Sequence, residues 1–136
     1  MLVNFLFKNC RSFYQENIFS MQAVKDTELR EINTFSVDSK LMPKDENEFI
    51  KSAVIFGGNA SGKSNVLKAL AYMKNVLLMS ASQFPIVATN EIFAFYENAQ
   101  NEESTYEVEI IQNATYYKYG FTLLKGAVKS EWLDRR

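Results

Sequence analysis

The chain has 136 residues, of which 47% are apolar, 23% charged and 14% aromatic, the makeup of one soluble globular domain or part of one. Fifteen basic residues against sixteen acidic ones leave a net charge of −1, so no strongly charged surface marks a nucleic-acid or membrane partner. Histidine is absent, which removes His-based triads, His metal sites and a His general base, and the single Cys10 excludes an internal disulfide.

Leu2 to Phe7 alternates loosely and reads as a strand. A polar turn through Tyr14–Asn17 leads to a second run, Ile18–Val24, so residues 1–24 predict an antiparallel β-hairpin. Residues 25–50 are mostly polar, with the charged cluster Lys44-Asp45-Glu46-Asn47-Glu48 after Pro43. They read as a surface connection with room for a short helix.

Residues 52–80 predict a strand, a loop and a helix. Ser52-Ala53-Val54-Ile55-Phe56 is a short apolar run that suits a buried strand and stops at Gly57-Gly58. After Gly62 the period becomes helical, to about residue 80, with Pro85 beyond. Val66, Leu67, Leu70, Met73 and Leu77 form the apolar stripe, and Asn65, Lys68, Tyr72 and Asn75 the opposite face. Lys68 and Lys74 read as exposed.

Residues 91–133 predict an antiparallel β segment. Phe93 and Phe95, then Tyr106, Val108 and Ile110, then Tyr117, Tyr119, Phe121 and Leu123 each alternate with their neighbours. Asn113-Ala114 is the expected turn between the last two runs, and Val128 to Leu133 offers a further strand. The chain then stops at Asp134-Arg135-Arg136 with no capping element.

The chemistry is carried by Gly57-Gly58-Asn59-Ala60-Ser61-Gly62-Lys63-Ser64, which matches the phosphate-loop pattern G-x-x-x-x-G-K-[S/T]. Gly57 and Gly62 let the backbone wrap round an anion with its N–H groups inward. The following helix directs its unsatisfied N–H groups and positive dipole end at the same place. Lys63 can bridge the outer phosphates, and the Ser64 hydroxyl can take a position on Mg²⁺. Chance produces such a match in roughly one of a couple of hundred chains of this length, and the flanking strand and helix patterns lower that further.

These residues resemble a family. Gly58 to Asn65, followed by Leu67 and Ala69-Leu70, is similar to the Walker A region of SMC/RecF-like ATPases, which have ATP-binding heads of the ABC class. Phe7-Lys8-Asn9-Cys10-Arg11-Ser12-Phe13 resembles the opening of the same group on its first β-hairpin, with Cys10 in place of the usual Phe. The likeness extends to AAA-type ATP-binding proteins related to OLD-like and abortive-infection ATPases, and it covers nearly the whole chain but only the first part of such a protein. It implies an α/β fold, a partial P-loop NTPase with an N-terminal hairpin, the Walker A unit and an antiparallel meander. It also implies ATP and Mg²⁺ as cofactors, Asn65 beside the nucleotide, and Arg11 and Ser12 near phosphate or ribose. For Arg11 and Ser12 a solvent-facing hairpin pair is an equal alternative.

The resemblance also sets what is missing. No LSGGQ-like signature and no four-residue apolar run ending in Asp-Glu occurs, and Gln100 and Gln112 lack a Q-loop context. The expectation is therefore a single, incomplete P-loop ATPase domain over residues 1–136, which binds ATP and hydrolyses it when complete. Its partners would be the rest of its own ATPase head or a second head in a homodimer. The rival is a nucleotide-binding regulatory module without turnover. A small P-loop kinase fits less well, because antiparallel β rather than further βα units follows the loop. Nucleic acid is compatible with a full protein of this family but is not indicated here, and phage defence and DNA maintenance are equally compatible.

Tyr106, Tyr116, Tyr117 and Tyr119 could stack on bases, but their alternation is better explained by cross-strand packing. Cys10 reads as a core residue beside the first strand. No apolar run approaches the ~18 residues of a membrane span, and the N-terminus lacks a signal-peptide layout. The expected compartment is the cytoplasm.

Overall fold

A computed structural model describes residues 1–25, 28–38, 40–42, 46–79 and 92–136. The elements in chain order are β1 (Leu2–Lys8), β2 (Asn17–Ser20), α1 (Arg30–Asn33), β3 (Thr34–Ser36), β4 (Glu48–Ile50), α2 (Lys63–Met79), β5 (Ser104–Gln112), β6 (Thr115–Leu124) and β7 (Ala127–Arg135). A 3₁₀ turn, Glu97–Asn101, precedes β5.

The N-terminal hairpin and the C-terminal meander form one antiparallel sheet of order β2-β1-β5-β6-β7. Strand β1 buries Val3, Phe5 and Phe7 on one side, as its alternation requires. Asn113 and Ala114 close the β5–β6 hairpin at φ 50 and 53, and Lys125 and Gly126 close β6–β7 at φ 51 and 78. Paired positive φ values are those of the two-residue turns that follow the natural twist of a hairpin.

Helix α2 lies on this sheet. Ala69, Met73 and Val76 are its buried stripe, packed with Phe5, Phe7, Tyr106, Phe121 and Leu123. This corrects the expected stripe: Leu67 is 65% exposed, Leu77 is also exposed, and Tyr72, expected on the polar face, sets its ring 5.2 Å from that of Tyr106. The helix is apolar round most of its circumference, so periodicity alone does not choose which side meets the sheet. The sheet's large aromatic side chains choose it, because small Ala69 allows close approach. Lys68 and Lys74 are exposed, and the residues from 80 to 91, Pro85 among them, lie outside the described ones.

Three further expectations are corrected. Residues 25–50 are more than a surface connection: α1 is the short helix, but β3 and β4 pair as a hairpin. That hairpin helps form a second core of Val3, Met42, Phe49, Ile111 and Tyr116. Of the charged cluster there, Lys44 and Asp45 lie outside the described residues, and Glu48 sits in β4 bonded to Arg30 and Thr34.

Residues Ala53–Phe56 are not a strand, and Val54 and Phe56 are 72% and 88% exposed. A strand exists only through a ladder with a neighbour, and among the described residues none lies beside this run.

Phe93–Tyr96 is not a strand either. Phe93 and Tyr96 place their rings 5.6 and 5.0 Å from Tyr14, and the Phe93 N–H donates to Asn9 Oδ1 at 3.3 Å. Phe95, which alternates with Phe93, is 87% exposed with its ring 5.7 Å from that of Phe93, so the alternation marks a loop cluster and not a sheet face.

Candidate functional site

The loop 57–62 leads directly into α2, which begins at Lys63. Ala60 and Gly62 both take positive φ, 62 and 92, so the backbone reverses twice before the helix starts. The first N–H groups of a helix have no acceptor within it, and no acidic residue occupies the first turn of α2 to take them. That leaves the positive end of the helix facing the loop without a carboxylate of its own. Ala60, Ser61, Gly62, Lys63, Ser64 and Asn65 line a cleft of about 310 Å³ there.

Within the loop, the Ser61 N–H donates to the Gly58 carbonyl at 3.3 Å and the Asn65 N–H to the Gly62 carbonyl at 2.8 Å. The Lys63 ammonium folds back over the turn and donates to the carbonyls of Gly57, at 2.8 Å, and Gly58. Its third neighbour, the Ser61 hydroxyl, is at 3.5 Å. A Cβ on Gly57 would come within 2.6 Å of that hydroxyl, so the loop closes tightly on itself at this glycine. Ser64 is exposed beside it, and it also borders an adjoining cleft of about 330 Å³ with Phe19, Ala53, Val54, Ile55, Lys63 and Leu67.

The N-terminal hairpin reaches this loop. Cys10 and Phe13 exchange both backbone hydrogen bonds at 2.8 Å, which makes Arg11-Ser12 a two-residue turn with Arg11 at φ 54. The turn sets Ser12 Oγ 3.0 Å from Asn65 Nδ2, which donates to it. A Cβ on Gly62 would lie 2.9 Å from the same oxygen and 3.4 Å from the Phe13 ring. Gly62 is therefore required twice, for its φ and for the close approach of the turn. Ser12 and Asn65 are brought together at the loop, and Arg11 occupies the preceding turn position, half-buried.

Sequence reasoning missed two supports of this arrangement. Phe13 packs edge-on to Phe7 at 4.9 Å and so backs the loop with the core. Buried Asn9, at φ 48, donates through Nδ2 to the carbonyls of Ala99 and Glu102 and accepts from Ser104 Oγ through its own carbonyl. Both lie in the heptapeptide that carries the resemblance, and a short polar residue directly after an alternating strand was the available signal.

Cys10 is buried, 2% exposed, beside Tyr106. Burial, with Cys10 adding to it, pushes the Tyr106 phenol far above its ordinary value, so that ring is a packing group. Tyr116 is also buried, and an Arg136 guanidinium lies 5.3 Å over its ring. Among the described residues no group of three or more Cys, Asp or Glu is gathered to hold a metal ion, and no helix is long and apolar enough to cross a membrane.

A family model described as "AAA domain, putative AbiEii toxin, Type IV TA system" matches residues 52–136, more than half of the chain. No curated protein matches. Among solved structures, a chain from work on ATP-driven dimerization and DNA-stimulated activation of SMC ATPases is similar over 99% of this chain and 71% of its own, at a TM-score of 0.48 and 16% identity.

Proposed function

The chain belongs to this family of AAA domains, and on that premise we propose that its 57–64 loop binds the phosphates of Mg²⁺–ATP. The observation that carries the reading is the Lys63 ammonium held inside the loop by the Gly57 and Gly58 carbonyls. A phosphate oxygen is a stronger partner for an ammonium than a neutral carbonyl, so Lys63 is poised to exchange acceptors without leaving the loop. The fit extends to the rest of the site: positive helix end, no competing acid, and a glycine where the turn approaches most closely.

Lys63 would hold the outer phosphates, and Gly58 to Ser64 would offer backbone N–H groups. Ser64 would contribute one oxygen to Mg²⁺, which keeps most of its shell for water and phosphate. Asn65 and Ser12 would brace the end of the loop, with Arg11 beside the phosphate or ribose. Bound ATP supplies a phosphoanhydride bond whose terminal phosphoryl group can pass to water.

Turnover needs a group to position that water and further charge on the transferring phosphoryl group. The chain has no apolar run ending in Asp-Glu and no signature sequence, so in this reading residues 1–136 supply affinity and little rate. The rest of an ATPase head, or a second head, would supply the missing groups. Exposed Val54, Phe56, Leu67 and Leu78 support the reading that the rest of a head packs on this side. The buried cysteine suits a reducing, cytoplasmic setting.

Titration with a fluorescent ATP analogue in Mg²⁺ tests the proposal. Wild type should bind, Lys63→Ala should lose most of the affinity while keeping its circular dichroism, and neither should hydrolyse ATP above background. Equal binding by both proteins overturns the assignment. Hydrolysis by wild type alone, abolished in Lys63→Ala, would mean that a carboxylate of the β segment positions the water.

A further inference from the structure

The hairpin tip that meets the phosphate loop stands on a neck, where the Asn9 N–H donates to the Tyr14 carbonyl at 3.2 Å. One later segment, residues 93–104, holds both sides of that neck. On the first side, Asn9 Nδ2 donates to the carbonyls of Ala99, at 2.8 Å, and Glu102, at 3.2 Å, while Oδ1 accepts the Phe93 N–H at 3.3 Å. On the second, the Tyr14 hydroxyl donates to the Glu102 carboxylate at 2.8 Å, and its ring meets those of Phe93 and Tyr96. Glu102 is thus gripped twice, by its carbonyl from one side and by its carboxylate from the other.

Residues 93–103 are irregular apart from one 3₁₀ turn, so their backbone groups have no ladder and must take partners elsewhere. The Asn9 carboxamide serves three of them, because its amino group carries two donors and its oxygen accepts. Asparagine also tolerates the left-handed φ of 48 found there. Asn9 and Ala99 are both fully buried, so a carbonyl deprived of this partner is left unsatisfied, away from water.

Resting on the reading that the 57–64 loop binds phosphate, we propose that Asn9 is a positioning residue for the nucleotide. It locks the hairpin tip to the 93–104 segment, so that this segment and the bound phosphates stabilise each other. The path is short. Cys10 and Phe13 close the tip, Ser12 Oγ accepts from Asn65 at 3.0 Å, and a Cβ on Gly62 would stand 2.9 Å from that oxygen and 3.4 Å from the Phe13 ring. A tip that rocks on its neck therefore disturbs the last glycine of the loop and the first turn of α2 together. Such coupling is reciprocal: what orders the loop must order residues 93–104 by the same factor.

Amide hydrogen exchange without nucleotide, and ATP titration, test it on residues 1–136. In Asn9→Gly, where glycine keeps the φ and loses the carboxamide, the Phe13 and Asn65 amides should exchange faster. In Ser12→Ala the distant Phe93 amide should do so as well. Affinity for ATP should fall about fivefold in Asn9→Gly, but less than about twofold when Ser12→Ala is already present, because both changes act through the tip. Bound ATP should in turn slow exchange at Phe93 and Glu102. A folded Asn9→Gly with wild-type exchange at Phe13 and Asn65 overturns the proposal. So does an affinity loss that adds in full to that of Ser12→Ala, which would leave Asn9 a packing group. If Asn9→Gly does not fold, Tyr14→Phe decides: it keeps the ring, loses the Glu102 bond and should speed the same two amides, and unchanged exchange overturns the proposal. Failure of wild type to bind ATP overturns the reading of the loop instead, and the exchange measurements then decide the coupling by themselves.

Discussion

The side-chain amide of Asn65, in the first turn of α2, donates to the Ser12 hydroxyl at the tip of the N-terminal hairpin, 3.0 Å away and 53 positions earlier in the chain. This bond ties the helix that would face the phosphates to the sheet beneath it, since the Ser12 turn is closed by Cys10 and Phe13 and the latter rests on Phe7. Ser12→Ala removes the acceptor and leaves the turn. One hydrogen bond is worth about 1 kcal/mol, so affinity for ATP should fall about fivefold, with little change in melting temperature. Parallel titration and thermal unfolding check it, and unchanged affinity would show that the bond does not organise the loop.

Gly62→Ala should act more severely. The position is left-handed, φ 92, and a methyl there would lie 2.9 Å from Ser12 Oγ. The backbone alone costs an L-residue about 1–2 kcal/mol, and the turn must also retreat. ATP binding should weaken more than tenfold while the far-ultraviolet spectrum stays that of wild type. Gly58→Ala is the contrast, because a Cβ at Gly58 meets nothing within 4 Å.

Gly120 gives a test of the sheet that is separate from the site. The Trp132 indole lies flat across it and donates to Glu107 at 2.8 Å, two strands away from its own. A Cβ on Gly120 would fall 2.3 Å from Trp132 Cζ2, so Gly120→Ala must expel the ring and break that bond. Overpacking of this kind costs about 1–3 kcal/mol. The melting temperature should drop by several degrees, and the fluorescence of the chain's one tryptophan should shift to the red. In a Trp132→Ala background the same glycine change should cost almost nothing.

The Arg30–Glu48 pair gives a pH dependence. Hydrogen bonding from Arg30, then from Thr34, holds the Glu48 carboxyl below its ordinary value. A depressed value means that its contribution is complete above the ordinary carboxylate range and is lost as pH falls through the folded-state value. Wild type should therefore melt higher than Glu48→Gln at neutral pH, and the difference should close under strongly acidic conditions and shrink with salt. A gap that persists in acid would show that the charge is not its source.

By itself the sequence determined the parts that depend on near neighbours. The loop 57–64 is legible because its glycines, lysine and serine stand at fixed spacing within eight positions. Strands β1, β5 and β6 are legible because alternation places Phe5, Tyr106 and Phe121 on one side of each strand. Asn113-Ala114 is legible because it interrupts two such runs. Tertiary structure decided what depends on a partner. Ala53–Phe56 has the composition of a buried strand, but a ladder needs a neighbour, and none is at hand among the described residues. Phe93 and Phe95 alternate like strand residues, yet Tyr14, some eighty positions away, gathers Phe93 and Tyr96 instead and Phe95 is left exposed. The helix period left open which side of α2 is inward until the aromatic floor of the sheet met Ala69. The same holds at the site: the residue types of a phosphate loop are local, but the brace from Ser12 to Asn65 exists only because the hairpin folds back over the start of α2, a long-range closure that no spacing along the chain records.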